Sequence, residues 1–435
     1  MEVSRLREIE DLLIDDRTKG IPGGVAPFRL GDIGSQSWNL LHEDLPLPVA
    51  ILKASALAHN GKWMASFLEL SGAVISPHGK TTMSPQLFER QLDDGAWAIT
   101  VATVHQIQVC RRYGFSRIVL ANQLVGRQAI RFVLDELRDD PDFDFYCLVD
   151  SVDGVEVLAA AARAHPVDRP VKVLLEGGMP GGRTGCRNLD AALAVARAAK
   201  AAAPHVALHG VEGFEGLIQA DSLAEQEAKV AAFLDFLAEI AMVCQGDNLF
   251  AEGPIVLSAG GSAFYDMVLD RFRRIDLGRE TMLLTRSGCY LSHDSAMYRR
   301  YFERVRERAV GARDLGEGLR PALQLWTYVQ SRPESEKIIL TMGRRDVSFD
   351  ADMPVPELWF RPGAHATPIA VAEGCTVTEL NDQHTHLTVP AQSPFRVGDM
   401  MAFGISHPCT TFDKWQLVCI VDDDYTVVSA IRTFF

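Results

Sequence analysis

Eight short apolar, β-rich segments punctuate the first two-thirds of the chain, and each is followed by a stretch whose apolar residues recur at helical spacing. They are "AVISP" (73–77), "AITVAT" (98–103), "RIVLAN" (117–122), "FYCLVDS" (145–151), "VKVLLEG" (171–177), "VALHGVEG" (206–213), "PIVLSAGG" (254–261) and "MLLTRSG" (282–288). Parallel strands need a long crossover between them, usually a helix, so this alternation is the signature of a parallel sheet. Eight such units suit a closed (β/α)8 barrel. An open doubly wound sheet is the alternative with the same alternation. "LDAALAVARAAKAAA" and "EQEAKVAAFLDFLAEIAMVC" are the clearest intervening helices, by propensity and by period.

After about Leu319 the texture changes to alternating segments such as "QLWTYVQSR", "KIILTMG" and "QLVCIVDDDYTVVSAIRTFF", broken by Pro and Gly, which reads as a separate β-domain. The expected organisation is an N-terminal helical extension over 1–45, a barrel over 46–319 and a β-rich domain over 320–435. The early strand "PVAILK" (48–53) could belong to either of the last two. A net charge of −14 lacks the basic footprint that a phosphate backbone requires, so nucleic acid is excluded as a natural partner. Eight cysteines without a CxxC pair read as reduced thiols. "MEVSRLREIEDLLIDD" spaces Leu6, Ile9, Leu12 and Leu13 helically among charges, unlike a signal peptide, and no apolar run spans a bilayer. The expectation is a cytoplasmic protein with no membrane partner.

In a parallel barrel, chemistry gathers where the strands end. After the first strand come His78 and Lys80, in "VISPHGKTTMSP"; after the fifth, "EGGMPGGRTGCRN" carries Arg183; after the seventh comes "SAGGS" (Ser258 to Ser262), and after the eighth "RSGCY" (Arg286 to Tyr290). A lysine in a barrel mouth is expected to be partly desolvated, which frees a neutral amine to attack a carbonyl carbon; the bland reading is a solvated surface lysine. Gly260 and Gly261 would let backbone N–H groups crowd round a phosphate, with Ser262 adding a hydroxyl, or would simply make a tight turn. Arg183 could offer its guanidinium fork to an anionic oxygen, or cap a helix. In "GISHPCTTFDKW", His407 and Cys409 would share one side of an extended strand and could share a zinc ion, with His384 and His386 of "NDQHTHL" as companions; a buried His and Cys is the alternative.

Taken together, "PHGKTTMSP", "GGRTG", "SAGGS", "RSGCYLSHD", "QHTHL" and "SHPCTTFD" resemble fold type III pyridoxal-phosphate enzymes, the alanine racemase architecture, and within them the D-serine dehydratase and D-threonine aldolase family, over about residues 45–435. The resemblance implies that Lys80 holds pyridoxal 5'-phosphate and that Arg183 approaches its phenolic oxygen. It also implies that Gly260 to Ser262, Gly288 and Cys289 receive its phosphate, with His78 and Tyr290 beside it. His407 and Cys409 would bind zinc or another divalent ion, the substrate would be a D-amino acid with a β-hydroxyl, and the assembly a homodimer, its first strand joining the β-domain. Many relatives have a histidine two residues after the lysine, as a base on the β-hydroxyl; here Thr82 stands there. Deamination of D-serine or a related amino acid is therefore the expected reaction. Aldol cleavage to glycine and an aldehyde, a racemase, or a non-catalytic cofactor carrier are its rivals.

Overall fold

The computed structural model describes residues 6–435 of the chain, Val310 by its backbone alone. Among the described residues the expected helical extension over 1–45 is not formed, and residues 1–5 of it lie outside them. Residues 6–45 hold a one-turn helix α1 (Arg7–Glu10), a small hairpin of β1 (Leu13–Ile14) and β2 (Phe28–Arg29), and two 3-10 turns. The helical spacing fails after Ile9 because Leu12 and Leu13 are exposed and the Leu12 carbonyl accepts from Leu30 N–H, which draws the chain into the hairpin.

Strand β3 (Val49–Lys53) and helix α2 (Ala54–Ser71) lead into eight parallel strands. These are β4 (Val74–Ile75), β5 (Ile99–Val101), β6 (Arg117–Gln123), β7 (Asp144–Val149), β8 (Val171–Gly177), β9 (Val206–Gly213), β10 (Ile255–Ser258) and β11 (Thr281–Thr285). They lie in the order β4-β11-β10-β9-β8-β7-β6-β5, and the two ends meet. Trp97 N–H bonds the Ile75 carbonyl at 2.8 Å, Thr100 N–H bonds the Pro77 carbonyl at 2.9 Å, and His78 bridges to Thr100 in parallel. The sheet is thus a closed (β/α)8 barrel. Val119, Tyr146, Leu148, Leu174, Val256 and Leu284, from five of its strands, form a buried cluster separate from the main core, as a filled barrel interior requires.

Helices α3 (Pro85–Asp93), α4 (Val104–Arg112), α5 (Arg127–Asp139), α6 (Val152–Ala164), α7 (Leu189–Ala201), α8 (Leu223–Gly246) and α9 (Tyr265–Arg273) each carry the chain to the next strand. Their starts are written locally: Thr103, Ser151, Asn188 and Ser222 each accept an N–H three residues on, and Pro85 occupies the first turn of α3. Helices α10 (Met297–Arg308) and α11 (Val310–Asp314) follow the last barrel strand. No helix among the described residues is long and apolar enough to cross a membrane.

The rest is antiparallel: β12 (Leu323–Glu334), β13 (Lys337–Leu340), β14 (Val355–Phe360), β15 (Ile369–Ala370), β16 (Thr376–Leu380), β17 (Thr385–Thr388), β18 (Met400–Gly404), β19 (Leu417–Val421) and β20 (Val427–Arg432), with a one-turn helix α12 (Cys409–Phe412) after β18. Strand β3 lies in this sheet, antiparallel to β12 and parallel to β19. The chain therefore starts a strand here, leaves to build the barrel, and returns to flank that strand on both sides. Ile51, fully buried at the centre of β3, ties the two excursions together. Ile51→Ala should cost about 2–5 kcal/mol, read as a lowered thermal midpoint, with the unfolding of the β-domain moving most.

Candidate active site at the barrel mouth

Strand β4 is only two residues long, yet the chain stays in the barrel wall through His78 by the bonds just described. It then makes a 3-10 turn, Gly79–Thr81, at the C-terminal rim. Glycine is required at 79, where a Cβ would stand 2.8 Å from the Phe88 ring. Lys80 leaves this turn exposed, so the protein's own walls do not desolvate its amine as expected. His78 beside it is different. Burial pushes its imidazole well below the ordinary value, the Lys80, Arg286 and Arg183 charges push it further, and its Nδ1 has no partner. Three cations thus converge on one neutral ring.

The floor of the mouth is built from the ends of β8 to β11. Arg286 is buried; its Nε donates to Ser258 Oγ at 3.1 Å, its Nη2 to the Gly213 carbonyl at 2.8 Å, and it forms an ion pair with the buried Glu212. Even so, burial outweighs the arginine and raises the Glu212 carboxyl to about 7. Glu176 accepts from Gln123 Nε2 at 2.6 Å and Thr184 Oγ1 at 2.8 Å. Arg183 is exposed in the loop after β8, its guanidinium 4.9 Å from the centre of the Phe214 ring.

The expected phosphate cup needs a correction. The N–H groups of Gly260 and Gly261 already donate, at 2.8 and 3.0 Å, to the carboxylate of Glu215, a fully buried residue. They are not free for a ligand while Glu215 holds them. The N–H groups of Ser262, Gly288 and Cys289 find no acceptor among the described residues. Ser287 Oγ donates to the Gly261 carbonyl at 2.7 Å and joins the two loops that carry them. A Cβ at Gly288 would meet the His78 carbonyl oxygen at 2.5 Å, so the loop packs directly on the lysine turn. Unpaired donors on loops packed against the lysine turn fit a phosphorylated cofactor such as pyridoxal 5'-phosphate. Tyr290 is buried, and its hydroxyl is engaged by Gln91 of α3.

His407 and Cys409 do come together, though not along a strand. Pro408 cannot extend the ladder, and at φ −54° it opens α12, so the pair flanks a turn instead. His407 Nδ1 lies 2.6 Å from Asp350 Oδ2, and Asp350 Oδ1 accepts from Thr410 Oγ1 at 2.6 Å. The hydrogen bond to Cys409 is the largest influence raising the His407 imidazole to about 9. Cys409 Sγ lies 3.5 Å from Thr81 Oγ1 and 3.7 Å from Cys289 Sγ; the Cys289 contact leads in lowering the Cys409 thiol well below its ordinary value. An imidazole and a thiolate with a carboxylate behind the imidazole fit two ligands of a divalent ion and the outer partner such a histidine usually has. His384 and His386 do not join them: they lie on the β16–β17 hairpin, where His386 Nε2 pairs with Asn381 Oδ1 at 3.0 Å. Among the described residues no three His, Cys, Asp or Glu side chains are grouped to hold a metal.

Asp350, Thr81 and Glu215 were not singled out by the sequence. Asp350 is one of two acids in "FDADMP", Thr81 stood beside the threonine that drew notice, and Glu215 acts on backbone groups that leave no mark in composition. Glu212 gives a testable pH dependence. An unfolded glutamate loses its proton near 4.5, but the folded one keeps it to about 7, so between these values the folded chain binds the extra proton and stability falls as pH rises. Glu212→Gln should flatten that fall, seen as a thermal midpoint less dependent on pH between 4.5 and 7 than the parent's.

Residues 52–256 match the family model "Alanine racemase, N-terminal domain", and 322–421 match "Putative serine dehydratase domain". The chain is 25% identical over 317 residues to a 3-hydroxy-D-aspartate aldolase of Paracoccus denitrificans, covering 72% of this chain and 75% of that one. In fold it is similar to D-threonine aldolase from Filomicrobium marinum (TM-score 0.72, 20% identity, 94% of this chain and 98% of that one). It is likewise similar to D-threo-3-hydroxyaspartate dehydratase from Delftia sp. HT23 (TM-score 0.70, 18% identity, 91% and 99%). Structures of a dehydratase of that name also match with a histidine, or the cysteine two positions later, replaced by alanine, the cysteine variant in a metal-free form. With a racemase-type barrel and a dehydratase-type β-domain each matched by a family model, the chain belongs to the fold type III pyridoxal-phosphate family.

Proposed function

We propose that the protein is a lyase using pyridoxal phosphate and a divalent metal, zinc first, to deaminate D-serine or a related D-3-hydroxy amino acid to a 2-oxo acid and ammonia. The observation that carries this reading is the His407–Cys409 pair, backed by Asp350 and facing Thr81, one residue from Lys80. When bound, pyridoxal phosphate supplies an electron-accepting ring that acidifies the substrate α-carbon, and a divalent ion supplies Lewis acidity toward a β-hydroxyl. Lys80 would hold the cofactor, and its Nζ would take the α-proton. The free N–H groups of Ser262, Gly288 and Cys289 would bind the phosphate, with Arg183 at the entrance. His407 and Cys409 would hold the ion, with Asp350 fixing the imidazole through Nδ1. The histidine and cysteine, two apart, replaced in the dehydratase variants support this assignment. The same reading takes the protein as a cytoplasmic homodimer.

Aldol cleavage is the second reading, favoured by the names of the aldolase relatives. It needs a base on the β-hydroxyl. Thr82 is too weak a base near neutral pH, and its Oγ1 accepts from Ser84 N–H at 3.4 Å, a local turn contact. Removal of the α-proton and loss of the β-hydroxyl is the chemistry these residues serve best.

Given D-serine or D-threonine, the loaded protein should release ammonia with pyruvate or 2-oxobutanoate. Lys80→Ala should slow this by about 10²–10⁴-fold or more. His407→Ala should lose bound metal by elemental analysis while still binding the cofactor. Glycine and an aldehyde as the main products would transfer the assignment to the second reading.

A further inference from the structure

Two thiols meet at this site from separate parts of the fold. Cys289 belongs to the loop after β11, on the barrel rim, and Cys409 is the first residue of α12, in the β-domain. Though 120 positions apart in sequence, their sulfurs are 3.7 Å apart, in van der Waals contact. Cys289 is 4% exposed, whereas Cys409 is only partly buried. A disulfide needs a sulfur separation near ~2.05 Å, so closure requires an approach of roughly 1.6 Å. One thiol in a loop and the other at the start of a one-turn helix can supply that by side-chain rotation and small backbone shifts.

We propose that Cys289 and Cys409 are an oxidation site at which a peroxide closes a reversible disulfide between the two domains. The Cys409 sulfur, on the less buried of the two residues, attacks one oxygen of hydrogen peroxide and gives up its thiol proton. The O–O bond breaks, the departing hydroxide takes a proton to become water, and a sulfenic acid remains on Cys409. The Cys289 sulfur then displaces the sulfenic hydroxyl, which leaves as the second water, and the S–S bond forms. The two thiols give up two electrons and two protons, and the peroxide accepts both. The bond removes the Cys409 sulfur from any metal and fastens the β-domain to the loop packed on the lysine turn. Its formation needs no assumption about the reaction catalysed; only its effect on metal binding rests on the function proposed above.

The test uses the full-length protein, freed of metal by a chelator, treated with hydrogen peroxide, alkylated in denaturant and mapped by mass spectrometry. Two of the eight thiols should disappear, a linked Cys289–Cys409 peptide should appear, and dithiothreitol should restore both thiols. In Cys289→Ser the linked peptide should be lost, with Cys409 oxidised onward to the sulfinic acid. Thiol loss spread over other cysteines, or Cys409 oxidised in the parent while Cys289 stays reduced, would overturn the proposal; if the variant fails to fold, the parent map alone decides. Preloading with zinc chloride reads the metal assignment separately. Protection supports that assignment, and a disulfide that forms equally fast with zinc present removes it while leaving the oxidation site standing.

Discussion

Barrel closure is made by the residues that lead into the lysine turn. Strand β4 is too short to close an eight-stranded sheet on its own, so the ladder is completed by Ser76, Pro77 and His78. Ser76 N–H bonds the Thr285 carbonyl on one side, and Thr100 holds the other, its hydroxyl donating at 2.7 Å to the Ser76 carbonyl. A closed barrel fixes each strand's stagger against both neighbours. Lys80 is therefore aimed by the backbone of the whole barrel, although its own side chain is exposed. A frame of this kind can preorganise a side chain without burying it.

The second half of the site arrives by a different route. His407 and Cys409 stand just beyond β18, which is held between β12 and β14 in the middle of the antiparallel sheet. That sheet is tied to the barrel through β3, and through contacts such as Ser295 N–H to the Ile405 carbonyl and Phe434 N–H to the Met83 carbonyl. The position of the thiolate relative to the lysine turn thus depends on packing within the β-domain as much as on the site itself. A defect there would move the His–Cys pair and leave the loops after β10 and β11 in place.

The eight strands were legible in the sequence because their apolar runs are bounded by glycine, proline or charge; "VKVLLEG" and "VALHGVEG" agree with β8 and β9 to the residue. Where a run extends into a functional loop, as in "PIVLSAGG", composition does not mark the last paired residue, and the strand ends at Ser258. The His407–Cys409 proximity was legible and its cause was not, because a proline between two residues breaks the alternation that the strand reading relies on. Glu215 was invisible for a more general reason. A carboxylate that neutralises two backbone amides occupies the donors that a glycine motif advertises, and no sequence pattern records which donors are already taken.

Charge pairing at the mouth narrows what can recognise an anion there. Arg286 is spent on Glu212, on Ser258 and on the Gly213 carbonyl, so its fork is not free to grip a carboxylate. Arg187, in the same loop as Arg183, donates to the carbonyls of Gly182, Arg183, Thr184 and Gly185 and holds that loop's shape. Arg183 has no carboxylate partner among the described residues and only the face of Phe214 against it. A guanidinium resting on an aromatic ring keeps its donor edges available while losing little mobility on binding. The donors left without a protein acceptor at this mouth are thus those of Arg183 at the rim and the N–H groups of Ser262, Gly288 and Cys289. On the function proposed above, a second substrate carboxylate, as in 3-hydroxyaspartate, would add a demand on those few donors that a plain β-hydroxyl does not make.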